Sequence, residues 1–171
     1  MKIYKIEKVY ISLLVILLAA SFIFAFSHVL IGGNNIKFII IGFLILFIIF
    51  NIVNLLGKKV EIDENSITIK SLTGKRKIEF DKIEDITPLK LKGRYIFIIS
   101  DNEKYGFLSS MFEKFDEILE ALKKNAPDSN NEKISEITIK DINSRKKIFI
   151  AFLIAATIFL IAASVLNFAT L

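Results

Sequence analysis

Two groups of cations are the first candidates for chemistry. Lys75, Arg76 and Lys77 stand together, and Lys90, Lys92 and Arg94 follow in the same part of the chain. Ammonium and guanidinium groups donate hydrogen bonds to phosphate oxygens, and a guanidinium can do so through two parallel N–H bonds. Brought together by folding, the two groups could hold an anion; left apart, they serve solubility. The acids offer less. Asp63-Glu64 and Glu84-Asp85 are adjacent pairs, and neighbouring residues of a strand point to opposite faces, so neither pair makes an acid–base dyad. His28 is the sole histidine and cysteine is absent. That leaves no metal-ligand set, no thiol nucleophile and no disulfide, and His28 reads as a polar residue near the outer end of an apolar segment. No phosphate-binding glycine loop or nucleophile elbow occurs. These residues point away from an enzyme and call for no cofactor and no metal. Acids interleaved with the cations give no sustained basic face for nucleic acid.

The elements that must position these residues are dominated by lipid-like sequence. The chain has 171 residues, 53% of them hydrophobic, and a mean hydropathy of +0.54. The excess lies in three runs, residues 9–31, 38–56 and 148–168, none of which contains Asp, Glu, Lys or Arg. About 20 apolar residues in a helix cross a hydrocarbon core of about 30 Å, so each run reads as a transmembrane helix. The first run is too long for a signal peptide and lacks a small-x-small cleavage site. Lys2, Lys5 and Lys8 precede the first run, Lys58 and Lys59 follow the second, and Arg145, Lys146 and Lys147 precede the third; the first connection offers only Lys37. Basic flanks stay on the cytoplasmic side. The expected topology is therefore a cell-inner-membrane protein with residues 1–8 as a cytoplasmic tail and residues 9–56 as a transmembrane hairpin turning outside at Gly32-Gly33-Asn34-Asn35. The centre is cytoplasmic, and residues 148–171 are a third helix that leaves the C-terminus outside. Asn51 and Asn54 share a face near the inner end of the second helix. Ala151 with Ala155, and Ser21 with Ala25, form small-x-x-x-small faces. All are expected to serve helix packing, within the chain or in self-association.

The centre, residues 57–126, reads as an α+β unit. Val60 and Ile62, Ile67 and Ile69, and Ile78 and Phe80 alternate with polar neighbours, the period of half-buried strands. Leu72-Thr73-Gly74-Lys75 is the expected hairpin turn, with Gly74 free to adopt positive φ. Ile83 and Ile86 belong to a short strand or turn, "RYIFIIS" from Arg94 to Ser100 is the most apolar strand, and "KYGFL" pairs back after a turn at Asp101-Asn102-Glu103. The period then changes. Met111, Phe112, Phe115, Ile118, Leu119 and Leu122 fall on one helical face, Ser110 and Glu113 have the spacing of a capping box, and Asn125-Ala126-Pro127 stops the helix. Residues 127–147 are a linker and juxtamembrane segment, with Asp128 to Asn131 polar. Ile137 and Ile139 alternate as in an edge strand, but a helix leading into the third span is the preferred reading.

The order "ITIKSLTGKRKIEFDKIEDI", then "RYIFII", then a closing helix, with its G-K-R and F-D-x-I features, resembles the bacterial pleckstrin-homology-like domain. The two preceding apolar helices resemble the membrane-anchored members of that group; the third helix departs from the two-helix arrangement. The resemblance implies a partly open antiparallel β-barrel or sheet capped by a C-terminal helix, acting as a binding or scaffolding module without catalytic residues. It also implies that the cations Lys75, Arg76, Lys77, Lys90, Lys92 and Arg94 could bind anionic lipid heads. The expected partners are the bilayer, a protein partner or a second copy through the membrane helices, and possible anionic lipid. A second functional expectation is an immunity or protection factor against membrane-active peptides.

Overall fold

The structure, a computed structural model, describes residues 1–32, 35–101, 104–125 and 134–170. Gly33 and Asn34 of the expected turn from Gly32 to Asn35, Asn102 and Glu103 of the turn begun at Asp101, Ala126 and Pro127 of the helix stop begun at Asn125, and the linker at residues 128–131 lie outside the described residues. The chain divides into two compact units: Met1–Glu7 with Gly57–Phe149, and Lys8–Leu56 with Ile150–Leu171.

The first unit is α+β. Its four-stranded antiparallel sheet has the order β1 (Lys2–Lys5), β2 (Lys59–Ile62), β3 (Ser66–Ser71) and β4 (Gly74–Glu79). A 3-10 turn, Phe80–Lys82, leads to a three-stranded antiparallel sheet of β5 (Asp85–Lys90), β6 (Tyr95–Ser100) and β7 (Tyr105–Ser109). The two sheets are not closed into a barrel. Strand alternation works as the residue pattern demands: Val60, Ile67, Ile78, Ile86, Phe97, Ile99 and Leu108 are buried. Leu72 and Thr73 form the two-residue turn of the β3–β4 hairpin, Ser71 pairs with Gly74 across it, and Gly74 takes φ +151°. Polar Ser66 and Thr68 are also buried, which alternation alone does not foresee. The sheets approach closely where β7 faces β3 and β4. A Cβ built on Gly106 would lie 2.8 Å from Ile78 Cδ1 and 3.1 Å from Ile69 Cδ1. The ion pair of Arg76 with Asp101 joins the two sheets at one end.

Residues 2–5, expected to be a tail, are instead the edge strand β1. Their register runs from Lys2 opposite Ile62 to Lys5 opposite Lys59, and Tyr4 is buried. The outer edge of β1 is covered in turn. Glu7 N–H donates to Met111 O at 3.0 Å, Glu113 N–H donates to Lys5 O at 2.9 Å, and Ile6 bridges to Phe112. This pairing corrects the expected capping box. Ser110 Oγ accepts from Tyr95 N–H at 2.9 Å, and Glu113 faces Lys5. Lys114 takes φ +48°, so helix α3 (Phe115–Asn125) begins one turn later than the apolar period implies. Met111 and Phe112 are still buried, but in an extended strap whose backbone groups serve β1 rather than a helix.

Helix α3 carries Asp116 and Glu117 in its first turn and Lys123 and Lys124 in its last, as the helix dipole favours. Its buried face is Phe115, Ile118, Leu119 and Leu122, and the Phe97 and Phe115 rings lie 5.5 Å apart. Helix α4 spans Ile139–Ala169, so the juxtamembrane segment from Ile139 is helical. Thr138 Oγ1 accepts from Asp141 N–H at 3.2 Å and donates to Asp141 Oδ2 at 2.6 Å, a side-chain cap. Ile134, Ile137 and Ile142 are buried, and Lys123 Nζ donates to Ile137 O at 3.3 Å. The segment expected as a linker thus contributes to the folded unit.

The β1–α3 contact is pH-sensitive. Lys2 Nζ and Tyr4 Oη both donate to Glu117 Oε2, at 2.8 and 3.0 Å. The two hydrogen bonds hold the Glu117 carboxyl below its ordinary range, while burial and then Glu117 push the Tyr4 phenol up to about 12. A lowered carboxylate pKa stabilises the fold above its unfolded value and loses that contribution as pH falls through the folded one. The raised Tyr4 pKa acts oppositely, its contribution fading only as pH rises toward 12. On acidification from pH 7 into the carboxylate range, the unfolding midpoint of wild type should therefore fall more steeply than that of Glu117→Gln. Parallel acid slopes would show that this contact does not couple to protons.

The second unit holds helices α1 (Lys8–Leu30) and α2 (Asn35–Leu56) and the distal part of α4. All three helices are long and apolar enough to cross a membrane. Each buries a narrow stripe: Leu14, Leu17, Ser21 and His28 on α1; Ile41, Ile48 and Leu55 on α2; Leu153, Thr157, Leu160 and Ser164 on α4. Outside the stripes, large side chains such as Phe43 and Phe159 are more than 70% exposed, a surface suited to lipid rather than to water. The buried hydroxyls satisfy themselves within their helices: Ser21, Thr157 and Ser164 donate to the carbonyls of Leu17, Leu153 and Leu160. Asn167 Nδ2 donates across to Ser27 Oγ at 3.0 Å, linking α4 to α1.

Candidate functional site: a basic turn clamped on helix α4

The two cation groups lie on different sheets. Lys75, Arg76 and Lys77 lie on β4 of the four-stranded sheet, whereas Lys90, Lys92 and Arg94 bracket the β5–β6 turn of the other. Their surroundings also differ. Arg76 is paired with Asp101 and its Nη2 also donates to Lys104 O at 3.3 Å. Lys77 lines an open cavity of about 640 Å³ together with Glu64, Glu79 and Asp81. Lys75 lies near enough to Glu61 to help lower its pKa, after the Lys70 hydrogen bond that dominates. Acids thus surround the β4 group, and a second anion there would meet repulsion.

The β5–β6 turn is built differently. Leu91 N–H donates to Arg94 O at 2.9 Å and closes the turn. Arg145, on the first part of α4, donates from Nη1 to Leu91 O, and its guanidinium lies 5.2 Å from the centroid of the Tyr95 ring. Such a stack adds to the hold on the turn. Gly93 is required by close approach: a Cβ there would meet Phe149 Cβ at 2.9 Å. The neighbouring Lys146 is bound to Glu7. Arg94 is half-buried, and the acceptor of its Nη1 is Met111 Sδ at 3.3 Å, a weak one. Burial lowers the Arg94 pKa, and burial followed by the charge of Arg94 lowers that of Lys58. Lys58 and Arg94 are both half-buried, and no ion pair with a described carboxylate holds either of them. Lys90 and Lys92 are exposed on the same turn, with Lys90 near Asp141.

Compared with protein-family models, curated proteins and solved structures, the chain matches none of them. The site is therefore argued from its own geometry.

Lys58 and Arg145 serve in the sequence only as topology charges. The signal that could have singled them out is their position, each within three residues of an apolar run. The residues expected to pack helices divide. Asn51 Nδ2 donates to Phe47 O of its own helix at 2.8 Å, and Asn54 is half-buried. Ala151 and Ala155 are exposed and lie off the buried stripe of α4, while Ser21 lies within that of α1. His28 is buried, with its ring 5.2 Å from Phe38 and 6.2 Å from Phe24, and among the described residues its Nε2 has no hydrogen-bond partner.

Proposed function

We propose that this chain is a non-enzymatic, multi-pass membrane protein whose α+β unit is a pleckstrin-homology-like binding module. The module is held at the cytoplasmic face of the inner membrane and presents a basic turn to anionic headgroups or to a protein partner. One observation carries the topology: β1 pairs with β2 across the whole of α1 and α2. Two strands of one sheet lie on one side of a bilayer, so the apolar pair between them must leave and return. The basic residues before α1, after α2 and before the apolar part of α4 then share that side, as cytoplasmic flanks do. The pleckstrin-homology-like reading is supported by sheets of four and three antiparallel strands in chain order, followed by one amphipathic helix. A binding rather than catalytic role is supported by the residues that gather at the clamped turn. Cations and apolar side chains predominate there, with Glu7 already bound to Lys146, and no hydrogen bond between described residues there sets a hydroxyl against a basic side chain.

The absence of cysteine makes the test direct. Thr73→Cys on the β3–β4 turn should react with a membrane-impermeant maleimide only when the cytoplasmic face is open, and Thr170→Cys only from outside. Labelling of Thr73→Cys in intact cells would overturn the orientation.

A further inference from the structure

We propose that the outer face of the β5–β6–β7 sheet docks on the surface of the lipid bilayer. The inference deepens the function proposed above, and it rests on the reading that the apolar helices span a membrane. The first ground is a contrast between the two sheets of one unit. Residues directly opposite on neighbouring strands share a face. In the four-stranded sheet, Lys70 is opposite Lys59 and Lys75, and Thr68 is opposite Glu61 and Lys77. That outer face is charged and suits water. In the three-stranded sheet, Ile96 is opposite Leu89 and Ser109, and Ile98 is opposite Thr87 and Phe107. The alternate residues Ile86, Phe97, Ile99 and Leu108 are buried in the core, so Leu89, Ile96, Ile98 and Phe107 face outward. Phe107 is 63% exposed, and Tyr105 on the same face is 69% exposed. A sheet with one face in water alternates apolar with polar residues, whereas "YIFII" on β6 is apolar on both faces. An exposed apolar face of this kind marks a contact site.

The second ground is what favours lipid, rather than a second copy or a soluble partner, as the occupant. The unit is joined directly to every candidate span: at Glu7 to α1, at Gly57 to α2 and at Phe149 along α4. A surface tethered this closely meets the bilayer at high effective concentration, with most of the entropy of encounter already lost. The sheet in question is also the one fixed to α4. Arg145 bonds Leu91 O and stacks on Tyr95, and Gly93 lies against Phe149, which belongs to the apolar run 148–168. Leu89 and Ile96 flank that clamped turn. Charge is divided along the sheet in the same sense. Lys90 and Lys92 are exposed at the clamped turn, and Glu84 and Asp85 lie at the far end. The cationic end thus adjoins the clamp, as attraction to an anionic leaflet requires. Aromatic and aliphatic side chains behind a cationic edge are the composition of a surface that lies in the membrane interface.

The chain has no tryptophan, so one introduced residue reports alone. The test reconstitutes the full chain in phosphatidylcholine–phosphatidylglycerol vesicles with brominated acyl chains and compares tryptophan emission with that in unbrominated vesicles. Phe159→Trp, on the exposed side of α4, should be quenched if that helix spans. Phe107→Trp should be quenched too, and shielded from acrylamide in the water. Phe107 is level with Ile98, about 7 Å along the sheet from the level of Leu89, so its quenching requires the face, and not the turn alone, to reach lipid. Tyr105→Trp on the same face is a second reporter if Phe107→Trp does not fold. Adding Lys92→Gln should lower the docked-to-undocked ratio by about fivefold in the anionic vesicles and leave it unchanged in phosphatidylcholine alone. Quenching of Phe159→Trp but of neither face reporter overturns the docking and leaves the membrane reading intact; loss of quenching at all of them overturns that reading itself. Shielding from acrylamide that vanishes as the lipid-to-protein ratio rises, without bromolipid quenching, assigns the face to a second copy and overturns the lipid assignment. Full access to acrylamide leaves the face open to a soluble partner and overturns it likewise.

Discussion

Phe97→Ala should destabilise the α+β unit by about 3–5 kcal/mol, the range for deleting a fully buried aromatic ring. Phe97 is 0% exposed at the centre of β6, and its ring lies 5.5 Å from Phe115 of α3 and 6.2 Å from Tyr95. It is opposite Pro88 on β5 and Leu108 on β7. One side chain therefore joins three strands to the helix, and its loss leaves a void that β6 cannot close without breaking its register. The membrane helices dominate a helical signal, so the measurement is protease sensitivity of residues 57–125 in the micelle-embedded chain across a denaturant series. Cleavage at the same denaturant concentration as wild type would refute the assigned core. Phe97→Leu, which keeps most of the volume, should cost far less.

Gly106→Val should cost about 1–3 kcal/mol by overpacking, and the cause is separable from backbone strain. The φ of Gly106 is not among the positive values of the chain; what excludes a side chain is Ile78 Cδ1 at 2.8 Å and Ile69 Cδ1 at 3.1 Å from the Cβ position. Both atoms are tips of side chains, so alanine should be tolerated better than valine. The diagnostic is a double-mutant cycle: Ile78→Val removes the nearer methyl and should recover part of the Gly106→Val loss. Strict additivity would mean that the sheets do not meet at this point.

Much of the architecture is legible along the chain because it is local. Three uncharged apolar runs need no tertiary partner to be recognised, since length and composition decide whether a helix suits hydrocarbon. The β3–β4 hairpin follows from alternation on either side of Leu72-Thr73-Gly74, and β6 from the run "YIFIIS". The buried face of α3 follows from its 3.6-residue period. Even its misplaced start is instructive: Met111 and Phe112 fit that period, and only the hydrogen bonds of Glu7 and Glu113 with the neighbouring chain reveal an extended strap. A period of apolar residues reports burial, not which backbone partner a segment takes.

The candidate site was half legible for the same reason. Residue types identified six cations, but charge in a sequence says nothing about which cations are already neutralised. Folding brings Asp101 to Arg76 and Arg145 to the turn before Arg94, over separations that no local pattern encodes. It also leaves Lys58, a topology marker in the sequence, half-buried with no described acid paired to it.

By itself the sequence determined the three apolar helices, the α+β character of the centre, its hairpin and its amphipathic helix, all set by hydropathy and periodicity over neighbouring residues. Only the tertiary structure decided that "KIYK" is a strand, that residues 134–149 belong to the folded unit, and that Arg76 is paired with Asp101. Those outcomes depend on pairing and charge between segments far apart in the chain. A four-residue, lysine-flanked segment has no strand signature until β2 supplies its hydrogen bonds from beyond two whole helices.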